Sequence, residues 1–97
     1  MAVTIDRDEI AALCQRHRVT RLTLFGSAAT DDFDPRHSDI DFLAEFTSEA
    51  RLDDYFALKA DLEELFGRPV DLVARRSLEN PFFAAAVRET AEDVYLA

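Results

Sequence analysis

The sequence predicts a small α/β (α+β) fold, a mixed β-sheet with its helices on one face. Three observations predict it. Segments of helical period alternate with segments of strand period along the chain. The two glycines and three prolines fall where such segments start or stop. The strand-like segments carry apolar residues at one parity and polar residues, many of them acids, at the other, so one sheet face is built for a continuous core and the opposite face is left partly open.

The elements follow in order. A first helix is predicted from about Asp6 to His17, with Asp6 as N-cap and Glu9 as its capping-box partner. Ile10, Leu13, Cys14 and His17 form its buried stripe. Arg21-Leu22-Thr23-Leu24-Phe25 alternates as a strand and closes at Gly26-Ser27. A turn and polar loop run from Ala28 to His37. Ser38 to Phe46 is a second strand, with Ile40, Phe42, Ala44 and Phe46 on one face and Asp39, Asp41, Leu43 and Glu45 on the other. A helix from about Leu52 to Phe66 buries Tyr55, Leu58, Leu62 and Leu65, and Gly67 followed by Pro69 ends it. Val70-Asp71-Leu72-Val73-Ala74 is a third strand. Asn80-Pro81 caps and opens a last helix ending near Thr90. Asp93-Val94-Tyr95-Leu96 adds a short edge strand.

A chain of 97 residues allows one domain, expected to span 1–97, and 48% apolar residues suffice for one small core. No apolar run is long enough to span a bilayer. The N-terminus lacks a basic segment followed by an apolar one, so no signal peptide is expected. Cys14, the single cysteine, cannot form an internal disulfide. These points predict a cytoplasmic protein. The net charge of −9 opposes direct binding to nucleic acid. It also means that a polyphosphate ligand would need cations from elsewhere, and carboxylate-held metal would supply them.

The chemistry concentrates in three segments. Asp39 and Asp41 leave the same strand face, roughly 6–7 Å apart at Cα by strand rise. Carboxylates on a core-forming strand cost stability unless cations compensate them, and Mg²⁺ binds through one or two carboxylates plus substrate phosphates. A pair of ions could activate a hydroxyl and neutralise leaving pyrophosphate. Gly26 lets backbone approach a phosphate closely, and a helix starting at Ser27 would aim free N–H groups at it. Asp71 has the parity to face the same side if its strand is a neighbour. It could bind metal near the attacking hydroxyl, or take its proton.

Leu24-Phe25-Gly26-Ser27, ten residues, then Ser38-Asp39-Ile40-Asp41, with a distant single Asp in Val70-Asp71-Leu72-Val73, resembles the nucleotidyltransferase motif of the DNA polymerase beta-like superfamily. The small MNT (MntA-like) minimal nucleotidyltransferases are the most similar group, over nearly the whole chain. The resemblance implies a nucleotidyltransferase core in which Asp39, Asp41 and Asp71 bind Mg²⁺, with two ions expected, and Gly26 and Ser27 contact the NTP phosphates. It further implies an antitoxin that transfers AMP from ATP to a tyrosine of a helical HEPN ribonuclease toxin. A second reading keeps the fold and neutralises the partner by binding alone. A nucleotidyltransferase acting on small molecules such as aminoglycosides ranks last, because such enzymes add a helical domain. The sequence departs from the group after Gly-Ser. The relatives carry one residue and then Ala-Arg-Gly, where this chain has Ala28-Ala29-Thr30-Asp31, so Arg36, Arg75 or Arg76 is the candidate replacement for the missing arginine.

Other residues have plainer readings. His17 fits a helix end, where a cation complements the dipole, and His37 a loop. Cys14 fits the core. Asp31-Asp32-Phe33-Asp34 fits a solvated loop in which Phe33 packs locally or meets a partner.

Overall fold

The computed structural model describes residues 4–30, 34 and 39–97. Helix α1 spans Arg7–Arg16, β1 Val19–Phe25, β2 Ile40–Phe46, α2 Leu52–Phe66, β3 Val70–Ala74, α3 Pro81–Thr90 and β4 Glu92–Leu96, with short 3₁₀ turns at Gly26–Ala29 and Arg75–Glu79. Both the order and the type of the predicted elements are realised. Asp31, Asp32, Phe33, Arg36, His37 and Ser38, on which several expectations fell, lie outside the described residues.

Local chemistry accounts for most boundaries. Asp6 accepts from the backbone N–H of Asp8 and Glu9, holding two donors that the first turn leaves free. Gly67 ends α2 in the left-handed region at φ +66°, where a side chain is unfavourable. Asn80 caps α3 through the N–H groups of Phe82 and Phe83, with Pro81 in the first turn. Strand β1 starts at Val19, earlier than its alternation suggested. Val19 is buried and pairs with Phe46, so partner length rather than local pattern sets that end.

The sheet order is β3-β2-β1-β4. Strand β1 runs antiparallel to β2 and β4, and β2 runs parallel to β3, with α2 supplying the crossover that a parallel pair needs. Beneath α1 and α2, one face packs Ile10, Cys14, Leu22, Leu24, Ile40, Phe42, Leu58, Leu62 and Leu72 into the main core. His17 closes this layer, with its Nε2 2.6 Å from Asp61 Oδ2 on α2. Helix α2 also reaches the outer edge of β3: the Tyr55 hydroxyl donates to the Leu72 carbonyl, and the Val70 N–H donates to the Glu63 carboxylate at 3.1 Å.

The helices are not all on one face, as the sequence had predicted. Helix α3 lies against the opposite face. Its Phe83 and Val87 pack on Phe25, Leu43 and Val73, and the Phe25 and Phe83 rings meet edge to face at 5.8 Å. Leu43 and Val73 share the parity of the acids, so an apolar patch among polar neighbours was the available sign that a third helix would cover part of this face. The face stays open toward the start of β2 and β3, where Asp39 and Asp71 are exposed.

Candidate active site

Three segments distant in sequence meet at one end of the sheet. Asp41 on β2 is the register partner of Asp71 on β3 and, on its other side, of Phe25 at the end of β1. Adjacent strands put the Asp41 and Asp71 Cα atoms about 4.8 Å apart, and equal register sends both side chains to the same face. Asp39 lies just before β2, exposed. The parity argument for Asp71 therefore holds, because its strand is the neighbour of β2.

Gly26 follows Phe25 at φ +75°. A Cβ built on it would stand 2.4 Å from Asp41 Oδ2, closer than atoms can approach. The Asp41 carboxylate thus rests on the Gly26 backbone, and the conformation and the space both demand glycine. The Gly26 N–H donates to the Thr90 hydroxyl of α3 at 2.7 Å. Ser27 occupies the second position of a four-residue 3₁₀ turn rather than opening an α-helix. The helix-dipole contribution expected at this point therefore shrinks, and local N–H groups and the Ser27 hydroxyl remain as donors. The Ser27 carbonyl holds the turn closed by accepting from the Thr30 N–H and hydroxyl at 3.0 and 2.9 Å.

The electrostatic burden falls on Asp41. The Asp41 carboxyl is pushed from 3.8 up to about 6, first by desolvation and then by the charges of Asp71 and Asp39. Among the described residues no three His, Cys, Asp or Glu side chains form a ready-made metal cage. The donor chemistry nevertheless fits a hard divalent cation: two carboxylates on adjoining strands, a third at the mouth, all oxygen ligands, with substrate phosphates to complete the shell.

The candidate arginines behave differently. Strands β2 and β3 are parallel, with Asp41 and Asp71 near their starts and Arg75 beyond the end of β3. Arg75 and Arg76 therefore lie at the opposite end of the sheet, and Arg75 pairs with Glu45 at 3.6 Å. That placement argues against either replacing the missing arginine, and Arg36 lies outside the described residues. Thr90, a part of the site not foreseen, lies 64 residues from Gly26 in sequence, and no local signal marks it. Cys14 is buried, which pushes its thiol up to about 12 and leaves it a core side chain.

The family model described as Nucleotidyltransferase domain matches residues 9–94. The chain belongs to this family. Among curated relatives, the "Putative protein adenylyltransferase MJ0435" of Methanocaldococcus jannaschii is 35% identical over 86 residues, covering 89% of this chain and 90% of that protein. Among solved structures, a "putative minimal nucleotidyltransferase" shares 36% identity with a TM-score of 0.74, over 89% of this chain and 86% of its own. A chain in the complex of tri-AMPylated HEPN toxin with MNT antitoxin from Shewanella oneidensis has the same fold. Its TM-score is 0.64 at 19% identity, with 94% of this chain and 70% of that one covered. The small mixed sheet with three helices is thus the nucleotidyltransferase fold of these neighbours.

Proposed function

We propose that this chain is a protein adenylyltransferase and antitoxin, transferring AMP from ATP to a tyrosine hydroxyl of a HEPN-type ribonuclease toxin. The observation that carries the proposal is the meeting of Gly26, Asp41 and Asp71 at one open end of the sheet. The named function of the curated relative and the AMPylated toxin in the structural neighbour support the substrate class.

In this reading Gly26 and Ser27 receive the triphosphate. The Gly26 N–H is already bonded to Thr90, so the phosphate donors are the next N–H groups of the turn and the Ser27 hydroxyl. Asp39 and Asp41 would hold Mg²⁺, expected as two ions, with Asp71 as the third ligand on the acceptor side; the ions would neutralise the triphosphate and the leaving pyrophosphate. Asp71, on the edge strand and exposed, meets the incoming hydroxyl and orients it. The hydroxyl oxygen bonds to the α-phosphorus, the bond to the bridging oxygen breaks, pyrophosphate leaves, and the hydroxyl proton passes to Asp71 and on to solvent.

A second reading, an antitoxin that neutralises by contact alone, is favoured by the absent arginine after Gly26-Ser27 and by the remoteness of Arg75. One experiment separates the two. The product of the adjacent gene is incubated with this protein, ATP and Mg²⁺, and its intact mass is measured. The proposal expects increments of one AMP each. It also expects Asp71→Asn to abolish transfer while much of the ATP binding survives, since a group acting on the nucleophile contributes mainly to the chemical step. A partner silenced without any change in mass replaces the proposal with the contact-only reading.

A further inference from the structure

We infer that Thr90, the last residue of α3, is a positioning residue that clamps the Gly26-Ser27 turn against Asp41. The inference rests on the reading of that turn as the nucleotide-binding element. Three observations converge on Thr90. The Gly26 N–H donates to its Oγ1 at 2.7 Å, at the short end of the range for an N–H···O bond. Gly26 sits at φ +75° with its backbone against the Asp41 carboxylate, so rotation of its peptide moves the turn relative to that acid. Helix α3 is itself fixed on the sheet by Phe83 and Val87 against Phe25 and Leu43, so the clamp is anchored to a packed element rather than to a loop.

The hydrogen bond decides what the turn can do. Without Thr90 the Gly26 N–H would need another acceptor, and the Asp41 carboxylate is at hand, with its Oδ2 against this residue. A bond from Gly26 to Asp41 would draw down the charge of the acid that is to hold the metal. With Thr90 as acceptor, the Gly26 donor is satisfied and Asp41 keeps its lone pairs for a cation. Helix α3, which contributes no acid to the site, thereby sets the geometry of two segments that do.

The test compares Thr90→Val, which keeps the shape and removes the oxygen, with Thr90→Ser, which keeps the oxygen. Two readouts are taken on the whole chain. Amide hydrogen exchange by NMR without nucleotide reports the clamp: Gly26 is expected to lose protection in Thr90→Val and to keep it in Thr90→Ser. Titration with Mg²⁺ and ATP reports the consequence: affinity is expected to fall roughly tenfold in Thr90→Val, the worth of one hydrogen bond of this kind, and to stay near wild type in Thr90→Ser. Circular dichroism melting checks that both variants fold; if Thr90→Val does not, Thr90→Ala replaces it. Unchanged Gly26 exchange in the valine variant overturns the clamp. Lost protection with unchanged ATP affinity overturns the positioning role. A wild-type protein that binds no ATP removes the nucleotide reading itself, and with it the positioning role, while the exchange data still decide whether the clamp exists.

Discussion

Replacing Asp41 by Asn should stabilise the metal-free protein at neutral pH. Asp41 titrates near 6 instead of 3.8, through desolvation and the neighbouring charges of Asp71 and Asp39. A folded-state value above the unfolded one means that the folded protein holds the proton more tightly. The stability linked to this group is therefore fully present below the unfolded value near 3.8 and is lost as the pH rises through 6. A gap of that size corresponds to about 3 kcal/mol for a fully buried group. Asp41 is only partly buried, and solvent screening brings the expected effect down to about 1 kcal/mol. In a chain of this size that is roughly 4–8 °C in Tm. The assay is thermal unfolding of wild type and Asp41→Asn in chelator, from pH 4 to 8. The advantage of the variant should be near zero at the acid end and reach its full size above pH 6. Saturating Mg²⁺ should reverse it, since only the wild type keeps the full set of ligands. A lower Tm for the variant at pH 7.5 in chelator, or a difference that ignores pH, would refute the reasoning and make Asp41 a structural acceptor.

Two further substitutions test the frame around the acids. Gly26→Ala should destabilise by at least about 1–2 kcal/mol from the left-handed backbone alone, and the clash with Asp41 should abolish nucleotide binding; a variant that melts like wild type and binds ATP would show that the turn does not press on Asp41. Asp93→Ala should cost about 1 kcal/mol in denaturant unfolding at pH 7, chiefly because the buried Thr23 hydroxyl loses its acceptor at 2.8 Å. The Arg21 ion pair adds little at an exposed position. Arg21 holds Asp93 below the usual carboxylate range, so the charge-dependent part of this contribution is present above that range and should be lost as the pH falls below about 4, while the Thr23 bond survives protonation; equal stability of the two proteins at pH 7 would contradict it.

Much of this arrangement was legible in the sequence because local rules and global packing agree. Helix α2 and strand β3 fall at their predicted limits, since Gly67 stops the one and Val70, Leu72 and Ala74 alternate cleanly in the other. The placing of Asp41 and Asp71 on a common face followed from period-2 geometry once β2 and β3 proved adjacent, with Asp39 just before the strand. What stayed hidden has a common cause. The positions of α3 over the acid face, of Thr90 against Gly26 and of Arg75 at the far end of the sheet all depend on which elements become neighbours. Periodicity shows which side of a helix is apolar and not which side of a sheet receives it. Leu43 and Val73 among polar neighbours were the one available hint, and a pair of apolar residues on an open face is common enough to carry little weight.

Charge balance bears on whether the chain is an enzyme or a contact antitoxin. Several cations are paired with acids outside the cluster. Arg16 pairs with Asp61, Arg21 with Asp93 and Glu45, Lys59 with Glu63, and Arg75 with Glu45. Among the described residues none of these ion pairs includes Asp39, Asp41 or Asp71, and Asp41 is left with its acidity weakened. Three acids gather at one open end of the sheet, two of them on adjoining strands, and Asn at position 41 is expected to make the metal-free sheet more stable. Stored electrostatic strain of this kind is characteristic of functional sites, where a ligand relieves it. In the proposed function that ligand is a divalent cation with oxygen donors, and the triphosphate follows once it is in place. Desolvation of Asp41 and its repulsion by Asp71 and Asp39 fit the proposed catalytic function, in which metal binding should also release protons near pH 6, because Mg²⁺ and a proton compete for the same carboxylate.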